Sequence, residues 1–402
     1  MNTRGKVLVA MSGGVDSSVA AAILCRDGWD VIGCFMRLGT PGESLEPESH
    51  AGTCATPDRA DKTHSVGPRR VPLKVQHRGC CSVGDAADAR LVAAELGIPL
   101  YVCNFRDDFG RIIGYFADEY ARGRTPNPCV RCNDWLKFGK LRDYARSLGA
   151  DFVASGHYAR IERDSDGHAT LLRGLDAAKD QSYVLFGLSG EALAGMMLPI
   201  GEMAKPDVRA LARELGLPVS AKPDSQEICF VPDDDYAGLV ERLRPELAAE
   251  GEVVDETGRV LGRHRGHHRL TIGQRRGVGT ALGARTYVVS KDAATNRVVL
   301  GPRESLACSA CEVGEANWLS AGWPGGEWRA CLVQYRAHGE ALPARARALG
   351  TSSLETPSGR RERFEVQFDA EATAVAPGQA LVVYDHKRPE RLLGGGWIER
   401  TA

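Results

Sequence analysis

The segment VLVAMSGGVDSSVAAAI, residues 7–23, constrains the fold of this chain more tightly than any other. Lys6 to Ala10 reads as a short apolar strand, which Ser12, Gly13 and Gly14 interrupt. Asp16 to Cys25 then carries Ala, Val and Ile at helical spacing, and Trp29 to Met36 returns to strand. Strand, helix and strand in that order form a βαβ unit, whose strands lie parallel in one sheet.

The loop inside that unit carries chemistry. Backbone N–H groups of a turn that opens a helix, with the positive end of the helix behind them, cradle phosphate oxygens, and glycines let the main chain approach closely. Ala10, Met11, Ser12, Gly13, Gly14, Val15, Asp16 and Ser17 are therefore candidate nucleotide contacts. The loop lacks the Lys of G-x-x-x-x-G-K-[ST] and is not G-x-G-x-x-G. S-G-G-x-D-S instead resembles the pyrophosphate loop of enzymes that split ATP between the α and β phosphates, with Asp16 as a magnesium or pyrophosphate partner. The bland alternative is a Gly-Gly turn with a Ser or Asp N-cap.

The alternation continues with a helix over Asp85 to Leu96, a strand from Leu100 to Phe105, helices over Asp108 to Tyr120 and Cys132 to Ser147, and a strand from Phe152 to Ser155. Lys205 to Leu215 adds one more helix. Asp107 and Asp108 read as N-cap groups. Met36 and Gly156 fall at the carboxyl edge of the parallel sheet, where such folds bind ligands.

Past residue 230 the pattern changes to short strands between Gly and Asn turns: Val253 to Arg263, Tyr287 to Ser290 and Val298 to Leu300, then Trp328 to Tyr335, Arg363 to Phe368, Ala380 to Tyr384 and Gly396 to Glu399. The later runs predict a small antiparallel barrel. A chain of 402 residues exceeds one ordinary core. The expected division is an α/β parallel-sheet nucleotide domain over residues 1–230, with 39–79 a flexible insertion, a β-rich central domain over 231–304, and a barrel over 305–402.

With 51 Lys and Arg against 52 Asp and Glu, the net charge of −1 gives no global sign of nucleic-acid binding. The stretch RHRGHHRLTIGQRR, Arg263 to Arg276, is a local exception: five Arg, three His and no acid, read as a basic surface for RNA phosphates or as a solvated hairpin. No apolar run approaches the roughly 18 residues of a membrane span. The opening MNTRGKVLVAMSGG reaches glycine too early for a signal peptide, so a cytoplasmic location is expected, with no membrane partner.

Twelve cysteines in a reducing compartment argue for core thiols, metal sites or redox chemistry. Cys129 and Cys132 stand at C-x-x-C spacing where a helix begins, near Arg131 and Lys137, a setting that lowers a thiol pKa. Cys229 is a single downstream partner, and the three thiols together also suit an iron–sulfur or zinc site. Cys308 and Cys311 share the spacing but lack a matching second pair for a zinc ribbon. Cys25, Cys34 and Cys103 read as small core residues.

MSGGVDSS, TPNPCVRCN followed by KFG, and DSQEICF occur in that order, joined by CCS-x-x-D at Cys80 to Asp85, ASGHYAR at Ala154 to Arg160 and KDQSYVLF at Lys179 to Phe186. LTIGQRRG, QYR and PGQALVVY extend the pattern to Tyr384. Together these motifs resemble the bacterial tRNA-specific 2-thiouridylase family, the tRNA-uridine 2-sulfurtransferases of the pyrophosphate-loop superfamily. The resemblance implies that ATP, with Mg2+, adenylates the 2-oxygen of the wobble uridine, position 34, of Lys-, Glu- and Gln-type tRNAs. A persulfide, loaded by a sulfur donor or relay protein, then delivers sulfur and expels AMP. By position Cys229 matches the persulfide carrier and Cys132 the second catalytic cysteine, which resolves the persulfide through a disulfide bond. The same resemblance places Met36 and Gly156 against ATP. It places Asn127, Pro128, Cys129, His157, Lys179, Asp180 and Gln181, with Tyr335, Arg336 and Gln379 of the barrel, against the target base and tRNA. Many members carry Asp where this chain has Cys129, so Cys129 is assigned to the loop that faces the base. The rival enzyme class, amide-forming ligases with the same glycine loop, lacks the paired cysteines. A zinc-dependent RNA-binding module leaves the glycine loop unexplained.

Overall fold

The computed structural model describes residues 4–39, 83–224, 228–231, 235–278, 285–352, 358–360 and 362–402. The insertion expected at 39–79 lies outside the described residues apart from Gly39, as do Cys54, Cys80 and Cys81.

Lys6–Met11 forms β1, Val15–Arg26 α1, Asp30–Arg37 β2, Val83–Glu95 α2, Leu100–Asn104 β3, Arg106–Ala121 α3, Pro128–Arg131 α4, Leu141–Ser147 α5 and Phe152–Ala154 β4. The hairpin β5 (Ala159–Arg163) and β6 (Ala169–Arg173) follows, then β7 (Met196–Met197). The sheet order is β3-β2-β1-β4-β7, with every pairing parallel. β1 is central and buried on both faces: Val7, Val9 and Met11 pack with α1 and the Lys205–Glu214 helix, and Leu8 and Ala10 pack toward α3. That period of two is why a short continuous apolar run marks a strand covered by helices on both sides. Connections leave β1 toward β2 on one side and β4 on the other, so a crevice opens between the carboxyl ends of β1 and β4.

The central domain pairs β8 (Gly251–Asp255) with β9 (Val260–His264) and β10 (Tyr287–Asp292) with β11 (Arg297–Gly301), joined through a parallel β8–β11 contact. The single strand expected over Val253 to Arg263 is thus a hairpin, turned at residues 256–259, where Gly258 takes φ 87°. The C-terminal domain is a closed barrel of β12 (Ala307–Trp318), β13 (Arg329–Gln334), β14 (Leu342–Thr351), β15 (Glu362–Thr373), β16 (Ala380–Asp385) and β17 (Leu392–Thr401), in the order β12-β15-β14-β13-β16-β17, all antiparallel.

Two local expectations need correction. Cys132 to Ser147 is not one α-helix: Cys132–Lys140 is a π-helix between α4 and α5, a wider turn often found at functional sites. Asp107 and Asp108 lie in the first turn of α3 but do not cap it; Phe105 holds the cap position and Asn104 Oδ1 accepts from Arg106 N–H at 3.2 Å.

Candidate active site

The glycine loop lies at the predicted strand–helix junction and is stitched by its own serines. Ser12 N–H donates to Ser17 Oγ at 3.2 Å, while the Ser17 and Ser18 hydroxyls donate to the Gly14 carbonyl at 3.3 and 2.7 Å. No side chain caps α1, which leaves its first N–H groups aimed at the crevice. Two glycines are sterically required. Gly13 has φ 70° and a Cβ there would meet the Asp85 carbonyl oxygen at 2.2 Å; a Cβ on Gly156 would meet the Ser17 nitrogen at 2.6 Å.

Ala10, Met11, Ser12, Gly14, Val15, Asp16, Ser17, Met36 and Gly156 all line one cavity of about 370 Å³. Gly13 is not at its wall, because the backbone of Asp85 covers it. A charged lattice surrounds the loop. Lys205 Nζ donates to both oxygens of Asp16 at 2.7 and 2.8 Å, and Tyr158 O–H donates to Oδ1 at 2.9 Å. Lys205 also lies 2.9 Å from Asp224, which accepts from Lys179 at 2.8 Å and Arg209 at 2.6 Å. Burial pushes the Asp224 carboxyl up, but Lys179 and Lys205 outweigh it and hold its pKa at about 2. Lys222 Nζ donates to the Gly13 carbonyl at 2.9 Å and to Asp85 and Asp88 at 2.6 Å each. Lys205 and Lys222 escaped the sequence reading, while Tyr158 and Asp224 lay inside ASGHYAR and DSQEICF without a role of their own. Lys205 and Lys222 stand far from the loop in the chain and sit in ordinary K-P-D contexts.

The same cavity is lined by Cys132, and by Cys229 with Ile228 and Phe230. The fold therefore brings to one cavity two cysteines 97 residues apart in the chain. Arg131, next to Cys132 in the chain, is 1% exposed and paired with Glu315. Among the described residues no three His, Cys, Asp or Glu side chains are gathered closely enough to hold a metal ion.

Pro128, Cys129, Lys137, His157, Lys179 and Gln181 line both this cavity and a second, larger cleft of about 1450 Å³. All three domains wall that cleft: Asn127 and Asp180 from the first, Thr271 to Gly273 and Tyr287 from the central domain, and Tyr335, Arg336 and Gln379 from the barrel. Burial, with the Lys137 charge adding to it, pushes the His157 pKa well below its ordinary value, so the ring is neutral; its Nδ1 lies 2.7 Å from Ser155 Oγ. Several of these side chains also hold the cleft together. The Asp180 carboxylate accepts from Arg173, from the Gly174 and Ser182 N–H groups and from the Ser182 hydroxyl, at 2.9–3.0 Å. Gln181 Oε1 accepts from Tyr158 N–H at 2.9 Å, and Arg336 donates to the Thr373 and Ala374 carbonyls at 3.0 and 2.9 Å.

The basic stretch is smaller than its sequence suggested. His264, His267 and His268 are buried, and burial pushes the pKa of His264 and of His268 down. His267 bridges Asn296 Oδ1 at 3.1 Å and the Tyr120 carbonyl at 3.2 Å, tying the central domain to α3. The exposed basic face is made of Arg263, Arg265, Arg269, Arg275 and Arg276, with Arg269 paired to Glu241 at 2.6 Å.

Among the described residues no helix is long and apolar enough to cross a membrane. Residues 5–75 and 69–233 match the family model of the tRNA methyl transferase HUP domain, 239–302 that of the tRNA methyl transferase PRC-barrel domain, and 308–398 that of the aminomethyltransferase beta-barrel domain. Curated relatives carry a different activity in their names. The tRNA-specific 2-thiouridylase MnmA of Rhodopirellula baltica is 44% identical over 98% of this chain and 96% of its own length. That of Geotalea uraniireducens is 43% identical over 100% and 96%, and that of Geobacter metallireducens 44% over 98% and 97%. Identity at this level through all three domains decides between the two names: the chain belongs to the tRNA-specific 2-thiouridylase family, enzymes that are tRNA sulfurtransferases.

Proposed function

We propose that the protein thiolates the 2-position of the wobble uridine, position 34, of Lys-, Glu- and Gln-type tRNAs, using ATP and a persulfide on Cys229. The observation that carries this reading is the shared cavity: a cavity built on a pyrophosphate-type loop is lined by Cys132 and Cys229 and adjoins, at Cys129, His157 and Gln181, the cleft that three domains surround.

In the first step the uridine 2-oxygen attacks the α-phosphorus of ATP and pyrophosphate leaves. The uncapped N–H groups of α1 would receive phosphate charge, as would the ammonium groups of Lys205 and Lys222 once the triphosphate competes with their carboxylate partners. Magnesium bound with the triphosphate would supply charge neutralisation, and Asp16 fits the one or two carboxylates that this ion takes beside substrate phosphates. In the second step the terminal sulfur of the Cys229 persulfide attacks C2 and AMP departs. The Cys132 thiolate then attacks the inner sulfur, which closes a Cys132–Cys229 disulfide and leaves the new C=S on the base. An external thiol restores the cysteines. His157, buried and neutral, offers a hydrogen-bonding edge to the base without a competing charge.

The test is reconstitution with ATP, a persulfide donor and unmodified tRNA. Equimolar AMP and 2-thiouridine are expected; AMP without thiouridine in the presence of the donor, or neither product, would overturn the reading.

A further inference from the structure

Arg131 stands between the two cysteines of the Cys129-x-x-Cys132 pair, yet its side chain reaches the barrel. Its Nη2 donates to both carboxylate oxygens of Glu315 in the barrel, at 2.9 Å each. The guanidinium carbon lies 4.2 Å from the ring centre of Trp397, also in the barrel, and 4.9 and 5.1 Å from those of Tyr115 and Trp135. Glu315 is held in turn: Ser358 N–H donates to its Oε2 at 3.2 Å, the Ser358 hydroxyl donates to the same oxygen, and its backbone takes φ 49°, a conformation side chains rarely adopt.

A second tie lands on the other side of Cys132. Arg360 donates to Asp134 at 3.1 Å and to the Gly187 carbonyl at 2.7 Å. Cys132, the first residue of the π-helix, is thus bracketed by two charge pairs, each reaching residues beyond the first domain.

We propose that Arg131 and Glu315 are positioning residues for sulfur transfer: the barrel, which also walls the RNA cleft, sets the placement of Cys132 through this pair. The inference rests on the reading of Cys132 as the thiol that resolves the persulfide. Buried ion pairs contribute little net stability once desolvation is counted, so what this pair supplies is geometry. The surrounding irregularities agree, since a left-handed non-glycine residue and a π-helix persist where neighbours over-determine the backbone. Attack of one thiolate on a neighbouring disulfide-type sulfur is sensitive to alignment, whereas adenylation at the glycine loop does not use the pair.

The experiment uses the full chain, persulfide-loaded, with ATP and tRNA in single turnover, comparing Glu315→Gln, Glu315→Asp and Arg131→Lys with the unsubstituted protein and Cys132→Ser. AMP release and tRNA affinity are expected to stay within about twofold, while 2-thiouridine formation falls about 10- to 100-fold without loss of the folding transition. Glu315→Asp retains the charge but shortens the arm, so a role in folding alone would spare it. Thiouridine formed at the unsubstituted rate by the Glu315 and Arg131 variants, with Cys132→Ser inactive, would overturn this inference alone. Normal thiolation by Cys132→Ser would overturn the underlying reading and this inference with it. AMP and thiouridine falling in equal proportion would also overturn it, because the pair would then act on the whole enzyme.

Discussion

The chain carries two Cys-x-x-Cys pairs, Cys129 with Cys132 and Cys308 with Cys311, and the fold treats them in opposite ways. The first spans the join between α4 and a π-helix, with Cys129 exposed and Cys132 half-buried on the cavity that the glycine loop lines. The second lies within strand β12, both thiols 4% exposed or less among the packed side chains of the barrel. Burial pushes both the Cys308 and Cys311 thiols up. Identical spacing therefore says nothing about chemistry until solvent access, charge and a facing thiol are known.

The largest effect expected from this contrast is on activity. Cys132→Ala and Cys229→Ala should each lower thiolation by at least about 10³-fold, measured by mass spectrometry of tRNA nucleosides, with tRNA binding retained. Full thiolation by either variant would break the comparison, since the first pair would then be as idle as the second. Next comes the nucleotide side of the same cavity: Asp16→Asn, which strips the charge that holds Lys205, should slow AMP release about 10- to 100-fold, or about 1.4–2.7 kcal/mol.

Alkylation sharpens the contrast chemically. At pH 8, iodoacetamide mapped by peptide mass should modify Cys129 and Cys132 before Cys308, Cys311 or Cys331. Burial raises the pKa of the barrel thiol Cys331 from 9.0 to about 12, with Asp369 adding to it. The folded barrel keeps this proton where the unfolded chain loses it, so barrel stability is undiminished below pH 9 and falls as pH rises toward 12. Denaturant melts at pH 8 and pH 11 that coincide would contradict the burial argument. Smallest of all, Cys308→Ala should leave thiolation within about twofold, and Cys311→Ala should cost about 1 kcal/mol in chemical denaturation with activity intact. A large loss of thiolation from Cys308→Ala would give the second pair a function its surroundings do not suggest.

Much of the first domain was legible in the sequence because β1 and its loop obey strong local rules. A fully buried central strand reads as a continuous apolar run, and Gly13 is demanded by a left-handed turn that Asp85 covers. β12 and β14 were passed over because ACSACEVGEANW and LPARARALGT are poor in the β-branched and aromatic residues that mark strands; closure of the barrel, which pairs both their edges, overrides that weak propensity. The hairpin β5–β6 was missed for a similar reason, with Arg and Glu on its exposed face. The histidines of the basic stretch looked solvent-facing, since no local signal announces partners such as Tyr120 and Glu241.

By itself the sequence determined the parallel sheet, the glycine loop at its carboxyl edge and the order of motifs that marks the family, because each rests on residues within a turn or two of one another. The tertiary structure alone decided which cysteines share a cavity, which lysines pair with the acids around the loop, and that Arg131 pairs with Glu315 of the barrel. Those outcomes depend on groups 97 or more residues apart in the chain meeting in a largely desolvated space, where burial and a facing charge, and not residue type, set what a side chain can do.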